Sequence, residues 1–212
     1  LGVSSHQFDQ GSRGFSIRFD GPLDMRMNPA IGISAEEVLA TYEEQALYDL
    51  FRKHTDLKSL KPLVHALLLA RIQAPLKTTA ELRELCEPLA PRGGWHKYVA
   101  QVFQGLRMEV NKELEVLEDL LNGCIDVLNP GGRLVVMSYH SLEDRMVKNF
   151  IKEGKATGQT ESDFFGVKRL PFKAITRKPV IASAAENAKN PRATSAKLRI
   201  AERSENEWNR DE

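Results

Sequence analysis

Gly131-Gly132-Arg133-Leu134-Val135-Val136-Met137-Ser138-Tyr139-His140-Ser141-Leu142-Glu143-Asp144-Arg145 compresses a turn, a strand, a polar loop and a helix start into fifteen residues. Pro130-Gly131-Gly132 makes the turn, and the apolar, β-branched run after it reads as a buried strand. The chain then switches abruptly to Tyr139, His140, Ser141, Glu143, Asp144 and Arg145. In an open α/β sheet, polar groups at the carboxyl end of a buried strand lie where ligands bind. The stretch therefore predicts an α/β fold and a place for chemistry.

The rest of the chain fits around that unit. Its 212 residues allow one good core with a smaller appended domain. No apolar run approaches the roughly 18–20 residues that span a bilayer, and the first residues carry no secretory signal. A start at Leu1-Gly2-Val3-Ser4-Ser5 reads as a strand end entering a loop, so an N-terminal portion is expected to precede it. Cys86 and Cys124 are far apart and lack CxxC spacing, which argues for two reduced structural thiols and against a disulfide framework or a metal site.

Residues 1–27 form a Gly-rich loop dense in Ser, Gln, Asp and Arg, and loops this long are usually functional. Residues 28–95 read as a helical module. Ser34 with Glu37 and Thr41 with Glu44 have capping-box spacing, Pro62 suits a first helical turn, and Thr78 or Thr79 can cap a further helix. Residues 96–122 read as one long amphipathic helix. A helix starts at Ser141, with Ser141 and Asp144 as its cap pair. Segments 171–176 and 195–201 alternate polar and apolar residues, which predicts an antiparallel pair at the sheet edge. Ser204–Glu212 look frayed.

The net charge of +1 hides a basic stretch. Lys168 to Arg199 holds nine Lys/Arg and one acid, Glu186. Such a segment either meets phosphate or is a solvated hairpin with ordinary lysines. Arg192, Lys197 and Arg199 admit the same two readings, phosphate contact or edge-strand protection. Ser4, Ser5 and Gln7 offer neutral donors and acceptors in a loop with small residues, suited to a base edge, or else make an ordinary turn. His140 can serve acid–base chemistry or bond the local backbone. Glu143 and Asp144 suit a helix start whether or not they touch a ligand. Gln104, Arg107 and Asn111 share a helix face, which either contacts a ligand, braces the strand-end loop or is solvated. The sequence contains no GxxxxGK[ST], GxGxxG, HExxH or GxSxG motif.

The blocks LGVSSHQFD (1–9), RGFS (13–16), GPLDMRM (21–27), QVFQGLRMEVNKELEVLE (101–118), PGGRLVVMSYHSLEDRMVKNF (130–150) and NPRATSAKLRIAE (190–202) resemble, in this order, the RsmH (MraW) family of 16S rRNA cytosine-N4 methyltransferases. DFFGVKRLPFKAI (163–175) is most similar to versions from the Bacteroidetes lineage. The resemblance implies a Rossmann-like class I methyltransferase with an inserted helical domain that helps recognise RNA. Residues 1–27 and 96–212 would form the methyltransferase domain and 28–95 the insertion. It implies S-adenosylmethionine as cosubstrate, 16S rRNA of the small ribosomal subunit as partner, a target cytosine near the decoding centre, and a cytoplasmic protein; it leaves the oligomeric state open.

By position, Gln7, Ser141 and Glu143 would bind the cosubstrate. Ser4, Ser5 and His140 would face the catalytic pocket. Arg26, Arg107, Arg192, Lys197 and Arg199 would meet RNA. The loops near Ser5 and near His140 are expected to converge on one cleft. The chain departs from the family in two places. The family's glycine-rich cosubstrate loop, its ribose-binding acid and the aspartate before LGVSS would all lie upstream of Leu1. The family's Gly-Glu and Ala-Arg helix of the insertion is replaced by His54-Thr55-Asp56-Leu57-Lys58-Ser59-Leu60-Lys61. The 212-residue chain alone is therefore expected to bind S-adenosylmethionine weakly and to be inactive. The alternative is an RNA-binding fragment without catalysis.

Overall fold

The computed structural model describes residues 1–158 and 170–205. Lys168 and Arg169 of the basic stretch, most of the Bacteroidetes-like segment and most of the tail at 204–212 lie outside the described residues. The chain divides into two compact units, Val3–Glu113 and Leu1–Gly2 with Leu114–Glu212. This division differs from the expected boundaries at 27/28 and 95/96. The loop of residues 3–27 and the helix after residue 95 pack with the helical module, because Phe15, Leu23, Met25, Val99, Val102 and Leu106 are buried in its core.

The helical unit holds α1 (Ser5–Asp9), α2 (Ala35–Thr41), α3 (Glu44–His54), α4 (Lys61–Gln73), α5 (Thr79–Cys86) and α6 (Trp95–Val110). Capping boxes at Ser34/Glu37 and Thr78/Glu81 start α2 and α5, and Pro62 sits in the first turn of α4. Thr41 does not cap α3. It closes α2, its hydroxyl donating to the Glu37 carbonyl, and Glu43 precedes α3 instead. Leu47, Leu50 and Phe51 of α3, Leu63 and Leu67 of α4 and Val102 and Leu106 of α6 fill the core.

The long helix expected over 96–122 is two helices. Asn111 ends α6 and Lys112 turns the chain at φ 50°, so α7 (Glu113–Val127) starts afresh. The sheet unit continues with β1 (Arg133–Ser138), α8 (Ser141–Glu153), β2 (Phe172–Ala174), β3 (Val180–Ile181), α9 (Ala184–Lys189) and β4 (Lys197–Arg203). β4 lies between β1 and β2, and β3 also pairs with it; every pairing among the described residues is antiparallel. Mixed α and β content agrees with an α/β class, and β2 with β4 is the expected antiparallel pair, although β4 is central rather than at the edge because β1 pairs along its other side. β1 is not buried on both sides. Leu134, Val136 and Ser138 are buried, whereas Val135 and Met137 are exposed. One-sided burial is what an antiparallel sheet with one packed face allows. Its core joins Leu134 and Val136 to Leu117 and Leu121 of α7, Val147 and Phe150 of α8, and Phe172 of β2.

Candidate functional site

β1 delivers the chain into Tyr139-His140, and α8 begins at once. The cap is His140 rather than Ser141: its Nδ1 accepts the Glu143 N–H at 3.4 Å, and Ser141 is the first helical residue. A ring nitrogen that accepts leaves the proton of the neutral imidazole on Nε2. That Nε2 is buried, lies 3.2 Å from Glu143 Oε1, and makes no aligned hydrogen bond. Glu143 is 3% exposed, and its Oε2 accepts the Tyr139 N–H at 3.0 Å. Burial pushes the Glu143 carboxyl up, but His140 and the Tyr139 N–H outweigh it and keep its pKa below the ordinary value. Gly2, at φ 77°, lies beside this carboxylate, where a Cβ would sit 3.5 Å from Glu143 Oε1, and the Leu1 nitrogen donates to the Met137 carbonyl.

Asp144, the residue expected to cap with Ser141, turns the other way. It takes a two-pronged ion pair from Arg199 at 2.7 and 3.0 Å, and Lys197 approaches to 3.5 Å. Burial raises the Asp144 carboxyl, and the hydrogen bonds and charge of Arg199 more than reverse it. Two of the expected RNA contacts, Lys197 and Arg199, are thus tied to the start of α8. Arg192 is exposed on the turn before β4.

In the helical unit, Ser4 caps α1. Its hydroxyl accepts the Gln7 N–H, and the Gln7 amide oxygen accepts the Ser4 N–H at 3.2 Å. The amide oxygen of the half-buried Gln7 is thus spent on Ser4, and Ser5 is exposed beside it. Farther along the loop, Asp24 holds Arg26 by two prongs at 2.8 and 2.9 Å. Gly14 and Gly21 let this loop fold on itself: Gly14 sits at φ 74°, and a Cβ on Gly21 would overlap the Gly11 carbonyl. The loop is locked further by Asn111. Its side chain accepts the Met27 N–H at 2.7 Å and donates to the Met25 carbonyl at 2.7 Å, holding the fully buried Met25 at φ 62°. Arg107 pairs in fork geometry with Glu113, and Gln104 donates to the His54 carbonyl, so the shared helix face braces its own unit.

Sequence reasoning missed three things here. Asn111 was placed on a face but not as the clamp of residues 25–27. Met25 gave no signal for its left-handed backbone. His54, within the segment that departs from the family pattern, is fully buried and bonds Glu109 at 3.0 Å; Tyr42 also donates to Glu109, and Lys112 pairs with it. The hydrogen bond from His54 leads in holding the Glu109 carboxyl far below the ordinary value. Cys86 and Cys124 are free, and burial pushes the Cys86 thiol up to about 12, which makes it inert.

Among the described residues no helix is long and apolar enough to cross a membrane. Residues 1–204 match the MraW methylase family. The chain is 49% identical to proteins named ribosomal RNA small subunit methyltransferase H from Bacteroides thetaiotaomicron and Bacteroides fragilis, over 96% of this chain and 67% of each relative. The protein of that name from Cytophaga hutchinsonii is 49% identical over 96% of this chain and 68% of its own length. The chain thus spans about two thirds of the length of these relatives. With almost all of its described residues inside that match, the chain belongs to the MraW methylase family.

Proposed function

We propose that this protein methylates ribosomal RNA, taking S-adenosylmethionine as cosubstrate and transferring its methyl group to N4 of a cytosine in 16S rRNA near the decoding centre. Membership of the family, with relatives named for small-subunit rRNA methylation, carries the reading. The small ribosomal subunit is then its partner and the cytoplasm its place of work.

The strand-end loop supports this chemically. The amino-acid end of S-adenosylmethionine bears an ammonium and a carboxylate. Glu143 is a buried carboxylate kept ionised, and His140 Nε2–H is a buried donor with no aligned partner. The first suits the ammonium and the second the carboxylate, so these residues fit the cosubstrate and would hold its charged end. Ser141 and Gln7 join them by family position. When bound, the sulfonium supplies an electrophilic methyl group.

The amino nitrogen of cytosine is a poor nucleophile because its lone pair is delocalised into the ring. The protein's work is to take the base out of its stack, fix its nitrogen in line and accept hydrogen bonds from its N–H groups as positive charge develops. Hydroxyl oxygens of Ser4 and Ser5 and the backbone carbonyls around Tyr139 are acceptors of that kind. His140, with Nδ1 already occupied, offers a donor rather than a base, so its part is orientation.

The test supplies labelled S-adenosylmethionine and unmodified small-subunit rRNA to the protein as its gene encodes it. Label should be recovered in N4-methylcytidine. Label in another nucleoside would overturn the reading, and retained RNA with no transfer would leave an RNA-binding module.

A further inference from the structure

We infer that the sheet unit carries a backbone-gripping site for RNA, in a groove of about 300 Å³ between α8 and strands β2 and β4. The inference rests on the rRNA reading above for the identity of the strand. Lys148 and Lys152 of α8, Arg177 just beyond β2, and Arg199 of β4 line it, together with the buried Ile151 and the exposed Ala174. Such a volume is at the small end of ligand pockets.

The charge balance is one-sided. Asp144 answers Arg199 and Lys197 together, while Lys148, Lys152 and Arg177 have no ion-pair partner among the described residues. Lys148 and Lys152 stand four apart on α8, a spacing at which like charges repel. A fold that keeps this arrangement over apolar side chains is suited to an anion, whose charge is screened less there than in open water.

The layout favours a strand over a lone phosphate. Four residues of helix advance the cations by about 6 Å, on the scale of the step between successive phosphates. Arg199 is 7% exposed and pinned by Asp144, which gives the row one rigid end. The hydroxyl of Thr176 is spent on Ile200, and among the described residues no aromatic side chain lines the groove to stack a base. The site therefore reads phosphates without regard to sequence.

The test measures binding of the protein as its gene encodes it to short single-stranded RNAs, one taken from small-subunit rRNA and one scrambled, by fluorescence anisotropy across a KCl series. Each single-strand phosphate contact contributes about 0.7 to the log–log salt slope. The triple variant Lys148→Gln, Lys152→Gln, Arg177→Gln should lower the slope by about 2 for both RNAs. Lys148→Arg with Lys152→Arg should retain it. If the triple variant does not fold, Arg177→Gln alone, at an exposed position, should lower the slope by about 0.7. An unchanged slope in a wild type that binds RNA overturns the groove and leaves the rRNA reading standing. A wild type that binds neither RNA also overturns the groove, while the labelling experiment decides the rRNA reading by itself. Loss confined to the natural sequence, or displacement of RNA by millimolar inorganic phosphate, also overturns the proposal.

Discussion

Asp144 and Arg199 form a pair that cannot be halved cheaply. Both side chains are about a tenth exposed, and removing one partner leaves an uncompensated buried charge. Asp144→Asn should cost about 3–5 kcal/mol, whereas Lys197→Ala, at a half-open position, should cost less than about 1 kcal/mol; urea unfolding of both variants checks the contrast. Glu109 is a pH-sensitive counterpart in the helical unit. Its folded pKa is depressed, so its contribution is fully present above the ordinary carboxylate value of about 4.3 and fades as pH falls toward the folded value. Wild type should lose stability over that acid range, and Glu109→Gln, though weaker at pH 7, should lose less of it. At the strand-end loop, Glu143→Gln should weaken S-adenosylmethionine binding about ten- to a hundredfold, the scale of one charge-assisted hydrogen bond, by calorimetry on the protein that shows transfer. These residue types were visible in sequence; their partners were not. His140 and Glu143 lie three apart and could be read together, but Asp144 meets a cation 55 positions away.

The same division between near and far governs the elements. The capping box at Ser34 was legible because both halves lie within four residues, and a cap was legible at Thr78 or Thr79 without its Glu81 partner. Thr41 has equally good spacing to Glu44, yet its hydroxyl is held by the turn behind it. Amphipathic periodicity runs without a break through Asn111 and Lys112, so pattern alone predicts one helix. The break comes from hydrogen bonds to Met25 and Met27, more than 80 residues earlier. Asn111→Ala should leave those backbone groups unpaired, cost about 1–3 kcal/mol, and speed amide exchange at Met27. β1 was misread for a related reason: its run of apolar side chains suits either a strand buried on both faces or a half-buried one, and the antiparallel neighbour β4 decides which. The α/β class and the position of the strand-end loop were readable from residues 131–145 alone.

Each unit has its own apolar core. Calorimetry should resolve two transitions. Leu67→Ala should lower the one belonging to the helical unit by about 2–5 kcal/mol, and Phe150→Ala the other by about 3–5 kcal/mol. The whole-chain resemblance was legible because six sequence blocks in order carry it, while the division at residues 113 and 114 depends on which core α6 and the early loop enter. Among the described residues, β4 is the strand that every other strand of the sheet pairs with. During synthesis, the ribosome has delivered all of Val3–Glu113 well before it reaches Lys197. At about 5–20 residues per second, the helical half has roughly 4–17 s to mature while β1, β2 and β3 wait with their edges unclaimed. A nascent chain arrested before Lys197 should therefore be protease-resistant in its first half and cleavable in its second.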